Sequence, residues 1–377
     1  MAPSTPQIGS AKASPIKEFF VRMLTRDIEL QDAILDLLDN CVDGILRSGS
    51  AAASPARPYE GYHATIIMDP GHFQITDNCG GIPIETAKEY AFTMGRPPEA
   101  KTEAPLATVG MYGIGMKRAI FKLGTEALVE SRHDQGFVVE FTPAWMAADR
   151  WDDLPMHELL ADRLPTQGTN IEVHSLNEDV AKAFSDVAWI DEFRKTVRRH
   201  YSLIISKGFS VLIGNGTDAP SVIEAEEFKL LQTGNQSDRS RIAPYVFVGH
   251  LGEVGVEIYA GLYRKLLSAD EAEQEEETRG RADDAGWTVA CNDRVVIWKD
   301  KTRLTGWGEA SVPNYHGQFI AITGIVLLTS SDPKKLPLTT TKRGIDASSN
   351  VYSEAKELMR EATKSLTSFT NKWKKFP

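Results

Sequence analysis

Between residues 30 and 45 the chain reads LQDAILDLLDNCVDGI, with apolar positions at helical spacing. At about 100° per residue, Leu30, Ile34, Leu37, Cys41 and Ile45 share one side of a predicted helix, and Asp36, Asn40 and Asp43 share the other. Period-two alternation predicts strands at ATIIMD and HFQITD, the second ending in Asp77 and running into Asn78-Cys79-Gly80-Gly81-Ile82-Pro83. Helices are predicted near 84–91 and at RAIFKLG, the latter directly after a glycine-rich run from Val109 to Lys117. Residues 189–205 form a long amphipathic helix, apolar at Ile190, Phe193, Val197, Tyr201 and Ile204 and basic at Arg194, Lys195, Arg198 and Arg199. Strands follow at FSVLIG, at Trp287 onward into a turn at Asn292-Asp293, and within 319–329. A closing helix over 351–375 carries Tyr352, Ala355, Met359, Ala362, Leu366, Phe369, Trp373 and Phe376 at alternating spacings of three and four. Such a seam packs on its own domain or forms a coiled coil.

The 377 residues suffice for two domains. A formal net charge of −10 leaves nucleic-acid contact to a local patch, for which the basic side of the 189–205 helix is the candidate; a plain solvated face is the alternative. Three well-separated cysteines, Cys41, Cys79 and Cys291, make no disulfide framework or zinc motif, so a reduced, cytoplasmic setting is expected. Residues 1–15 read as a flexible tail, and 268–285 as an acidic insertion. No apolar run reaches the roughly 20 residues of a membrane span, and no membrane partner is expected.

Three stretches carry candidate chemistry. The Asp36–Asn40–Asp43 stripe has no Lys or Arg to offset its carboxylates, and its oxygens suit a hard cation such as Mg²⁺ and an activated water; an ordinary surface stripe is the other reading. A strand ending in Asp77 and a glycine pair is either a hairpin turn or an acceptor for an exocyclic amine. Gly110, Gly113 and Gly115, just before a helix, expose N–H groups suited to phosphate oxygens, though the spacing is neither a P-loop nor a dinucleotide fingerprint.

Together these segments resemble the ATP site of the GHKL superfamily, which joins gyrase-type topoisomerases, heat-shock chaperones, histidine kinases, MutL and MORC proteins, and MORC-like and MutL-like ATPases most of all. ILDLLDNCVDG resembles the first motif, DNCGGIP the second, GMYGIGMK the third and QGTNIEV the fourth, in family order. The resemblance implies an α+β chain: a Bergerat-type α/β sandwich over 16–178, a ribosomal-protein-like α/β transducer domain over 179–350 and the helix of 351–377. It implies ATP and Mg²⁺ as cofactors. Asn40 would hold the Mg²⁺, and Asp77 would read the adenine. Asp43, Gly81, Ile82, Met94, Gly95, Gly110, Met111, Tyr112, Gly113, Ile114, Gly115, Met116, Lys117 and Thr169 would complete the nucleotide contacts. Asp36 stands where hydrolytic members carry Glu, so the base is set back by one methylene and turnover is expected to be slow. Cys79 stands where the second motif commonly has Gly, as a pocket thiol or a small buried filler. CNDRVV resembles the N-x-R turn of the transducer and LPLTTTKRG its loop, whose Lys342 would reach the γ-phosphate.

The expectation is an ATP-hydrolysing switch. ATP would order residues 96–109, whose composition predicts mobility, draw in Lys342 and drive homodimerisation, with residues 16–24 crossing to the partner. Its client would be DNA, in repair or phage defence. A chaperone-like clamp on a protein partner, or a nucleotide-binding module with negligible turnover, are the alternatives.

Overall fold

The computed structural model describes residues 16–47, 56–95, 113–231, 242–266, 284–339 and 344–373. Strand alternation resolves into two mixed sheets, and helices cover them to give an α+β molecule with two separate hydrophobic cores. The N-terminal helices are α1 (Lys17–Arg26) and α2 (Leu30–Arg47). The first sheet is built from β1 (His63–Asp69), β2 (His72–Asp77), β3 (Gly124–Arg132), β4 (Gly136–Phe141), β5 (Met156–Glu158), β6 (Gly168–Leu176), β7 (Ser210–Gly214) and β8 (Ser221–Val222), in the order β5-β4-β3-β6-β2-β1-β7-β8. All its pairings are antiparallel except β1 with β7. That one parallel pair needs a crossover. The chain supplies it through β2 to β6 and then α6 (Glu178–Ser185), α7 (Val187–His200) and α8 (Ser202–Ser206), so the first sheet draws on residues well past 178. Between β2 and β3 lie α3 (Ile84–Thr86), continued by a π-helical turn at Ala87–Ala91, and α4 (Gly115–Leu123); α5 (Pro143–Ala147) follows β4.

The second sheet holds β9 (Tyr245–Leu251), β10 (Val254–Leu262), β11 (Gly286–Cys291), β12 (Arg294–Asp300) and β13 (Ile322–Thr329), in the order β12-β11-β13-β10-β9. The closing helix, α9 (Asn350–Trp373), lays its seam on this sheet: Tyr352, Ala355, Met359, Ala362 and Leu366 are fully buried there. Trp287 Nε1 donates to the Thr363 hydroxyl at 3.0 Å, which pins the register of helix on sheet. From Tyr352 to Leu366 the seam is therefore filled by the chain's own core, while Phe369 and Trp373 are half-buried.

Helix α2 departs from the simple amphipathic picture. Residues 32–39 and 41–45 are all buried, including Asp32, Asp36, Asp39 and Asp43. A solvated acidic stripe is excluded, and each buried carboxylate needs a partner. One comes from the second sheet. Arg294, 2% exposed and just past the β11–β12 turn, donates through Nε to Asp39 Oδ1 at 3.0 Å. Its guanidinium also lies 4.4 Å from the centre of the Tyr201 ring, and the Tyr201 hydroxyl donates to the same Asp39 oxygen. The expected single helix of 189–205 breaks at Tyr201, which caps α7 and turns inward so that its hydroxyl also meets Leu35 O at 3.0 Å.

The turn that presents Arg294 takes positive φ at Asn292 (47°) and Asp293 (66°), as a two-residue hairpin of this hand requires. Asp293 accepts from Tyr59 Oη at 3.0 Å and Lys207 Nζ at 2.6 Å, and Val295 O lies 2.6 Å from His200 Nδ1. The hairpin thus docks into the first body behind α2. No helix among the described residues is long and apolar enough to cross a membrane.

Candidate functional site

The site residues converge on α2 from two sides. On one side is the turn after β2. Gly44 in α2 faces it so closely that a Cβ there would lie 2.4 Å from Cys79 O. This explains a glycine inside a helix, where it costs about 1 kcal/mol relative to alanine. Asp77 Oδ1 accepts from Cys79 N at 2.7 Å, and Oδ2 accepts the Cys41 thiol at 3.4 Å. Burial pushes the Asp77 carboxyl above its ordinary range, opposed by these donors. Cys41 and Cys79 are both buried free thiols beside it, and burial raises Cys79 as well.

Across the sheet Asp77 is in register with Thr169. A Cβ on Gly168 would lie 2.0 Å from Asp77 O, so glycine is required at that close approach. Thr169 Oγ1 and Ser131 Oγ are 3.0 Å apart, and Ser131 Oγ also accepts from Ile82 N at 2.8 Å. The second and fourth sequence motifs are therefore joined through Ser131, a fully buried residue that sequence reading missed. Gly81 takes φ +69°, with Arg132 O only 2.1 Å from where its Cβ would be; β3, not an open pocket, demands this glycine.

The other side is the start of α4. Gly115 opens the helix directly against Asp36: a Cβ there would be 3.3 Å from Asp36 Cβ and 3.5 Å from Oδ2. Gly113 adopts φ +67°, and Ile114, the N-cap, supplies no side-chain acceptor to the first-turn N–H groups. Those donors, at a positive helix end, suit an anion. Asp36, 4% exposed, is ion-paired with Arg118 Nη2. Arg118 was not anticipated, although a cation so close to a helix N-terminus opposes the helix dipole and is in itself a signal.

Lys117, 2% exposed, donates to Ala91 O at 2.8 Å and to Gly113 O, so its ammonium clasps the residues on either side of the 96–112 stretch. Burial lowers its pKa to about 8. Asn40 is half-buried one turn after Asp36, and Asp43 is buried a turn further on. Met94 and Gly95 are half-buried past the π-helical turn, Gly95 at φ +106°. Met116 faces the core. Gly110, Met111, Tyr112 and Lys342 lie outside the described residues, as do 1–15, the 96–109 stretch and nearly all of the acidic insertion.

Among the described residues, no group of three His, Cys, Asp or Glu side chains could hold a metal ion by itself. A magnesium ion held by one or two protein oxygens and by substrate phosphates needs no such cage, and Asn40 carries one amide oxygen of the kind it takes. The uncapped start of α4 suits phosphate. The basic side of α7 is partly paired: Lys195 and Arg199 share Glu192, Arg198 pairs with Glu226 at 2.9 Å, and Arg194 bonds Ile213 O at 3.1 Å. Helix α1 packs on its own chain, with Lys17 buried against the Trp145 ring and Ile16, Phe19 and Met23 exposed. No protein-family model matches the chain, and no curated protein matches it.

Proposed function

We propose that the protein is a Mg²⁺-dependent ATP-binding and hydrolysing switch of the GHKL class, with a Bergerat-type nucleotide domain and a transducer-like second domain. The observation that carries this reading is convergence. Four segments spread from Asp36 to Thr169 meet around one buried helix, with a carboxylate acceptor at one end and an uncapped helix start at the other. Those two ends match the two ends of a nucleotide, an exocyclic amine and a phosphate chain.

In this reading Asp77 accepts from the base amine, and the first-turn N–H groups of α4 take the phosphates. Asn40 carries the amide oxygen that would hold magnesium, which would supply charge neutralisation at the phosphates. Asp36 takes a proton from the attacking water as the new oxygen–γ-phosphorus bond forms. The bond from γ-phosphorus to the bridging oxygen breaks, and ADP leaves with that electron pair. Lys342 enters from the sequence resemblance alone, as the cation that would link the γ-phosphate to the second domain and so to dimerisation. DNA as the client rests on the sequence resemblance.

Calorimetric titration with ATP and Mg²⁺ tests the reading. Asp77→Asn should lose most affinity, because a reversed hydrogen-bond pattern leaves polar groups unpaired. Asp36→Ala should bind ATP without turning it over. Light scattering should show a dimer with a non-hydrolysable ATP analogue and a monomer with ADP, a difference that Lys342→Ala abolishes. Unchanged ATP affinity in Asp77→Asn would rule out the adenine assignment.

A further inference from the structure

Arg118 is the cation that meets Asp36, and its place is unusual. It sits one turn into α4, its side chain is 12% exposed, and it donates through Nη2 to Asp36 Oδ2. Its Nε, also buried, has no acceptor among the described residues. A guanidinium offers five donors in a fixed plane and cannot give up its charge. Nη2 is engaged by the carboxylate while the buried Nε–H has no acceptor among the described residues, and an unfilled buried donor is costly. The uncapped N–H groups of Ile114's helix start lie within the same turn, and Gly115 brings that turn against Asp36. An anionic oxygen cluster, the chemistry of a terminal phosphate, suits both kinds of donor.

We propose that Arg118 is a positioning residue of the phosphate end, holding Asp36 through Nη2 and offering its Nε to the terminal phosphate of a bound triphosphate. This rests on the ATPase reading and deepens it. One cation then serves two anions that would otherwise repel, the base and the phosphate it acts on. The arrangement also fixes their separation, which matters for a base set back by a methylene. A diphosphate is one phosphate short of this contact, so Arg118 gives the site a preference for ATP over ADP. Lysine cannot replace it, since a single point charge serves one anion at a time.

The test compares affinities for ADP and a non-hydrolysable ATP analogue, with Mg²⁺, and single-turnover ATP rates in wild type, Arg118→Lys, Arg118→Gln and Asp36→Asn. Wild type should prefer the triphosphate. In both Arg118 variants the triphosphate affinity should fall roughly tenfold or more, the loss of one hydrogen bond to a charged group. ADP affinity should stay within about twofold, since ADP does not make that contact. Turnover should fall on the order of 100-fold, as for loss of one charge-stabilising donor. Asp36→Asn should keep the triphosphate preference and lose turnover. If Arg118→Gln does not fold, the Asp36→Asn/Arg118→Gln double variant, with neither charge buried, carries the affinity comparison against Asp36→Asn. An unchanged preference in the Arg118 variants overturns the proposal, and so does an equal fall in both affinities, which would mark a purely structural ion pair. Wild type that binds neither nucleotide would instead overturn the ATPase reading on which the proposal stands.

Discussion

Replacing Arg294 by methionine tests the joint between the two sheets most directly. The side chain is 2% exposed and its partner Asp39 1%, so solvent screening is slight. Methionine keeps the apolar stem but removes the guanidinium, and with it the N–H donor at 3.0 Å from Asp39 and the cation 4.4 Å from the Tyr201 ring. Breaking a buried pair from one side costs about 3–5 kcal/mol, because the remaining carboxylate stays buried without its cation. The ring contact adds up to about 2 kcal/mol, but the same guanidinium makes both, so the terms overlap. We expect a loss of about 4 kcal/mol, a large share of the roughly 5–15 kcal/mol that holds a domain.

Asp39→Asn should cost a similar amount. The double variant should cost much less than the sum, with a coupling energy of about 2–3 kcal/mol. Urea unfolding followed by tryptophan fluorescence and by circular dichroism measures it, and noncoincident curves would separate the two bodies. The pair sits between α2 and the β11–β12 hairpin, so Arg294→Met should also loosen the second sheet from the first. A loss below about 1 kcal/mol, or strictly additive single variants, would refute the assignment of this pair as the joint.

Gly44→Ala should destabilise by about 1–3 kcal/mol by urea titration, despite alanine's helical advantage of about 1 kcal/mol, because the added Cβ would lie 2.4 Å from Cys79 O. A stabilised variant would show that the turn yields freely. Lys117 has its pKa lowered from 10.5 to about 8, so between those values the unfolded chain holds one more proton than the folded one. Its contribution to stability therefore rises with pH across that window, by up to about 1.4 kcal/mol per unit, and is flat below it. Unfolding of wild type minus Lys117→Met, measured from pH 7 to 10, should show that slope, and a flat difference would contradict a buried ammonium. Asp36→Glu should hydrolyse ATP faster than wild type in single-turnover assays if the native base is set back; a slower variant would show that the site is shaped around the shorter side chain.

Much of the fold was legible in local pattern. Period-two alternation placed β1 and β2 within a residue of where they lie, and the three-four seam of α9 named its buried face. These are short-range properties, set by which side of a strand or helix must leave water. The same rule misread α2, because it assumes one solvated side, and a helix covered by α4, the first sheet and the hairpin has none. The motif residues on α2, after β2 and before α4 were visible as types at spacings. That Asp36 is held by Arg118, 82 positions away, and Asp39 by Arg294, 255 positions away, was not. Nor did any pattern mark Ser131 as the link between the second and fourth motifs. Partner choice among buried charges depends on which segments the topology brings together. The sequence determined which residues could carry chemistry, and the packing of two sheets around one acidic helix decided which of them meet.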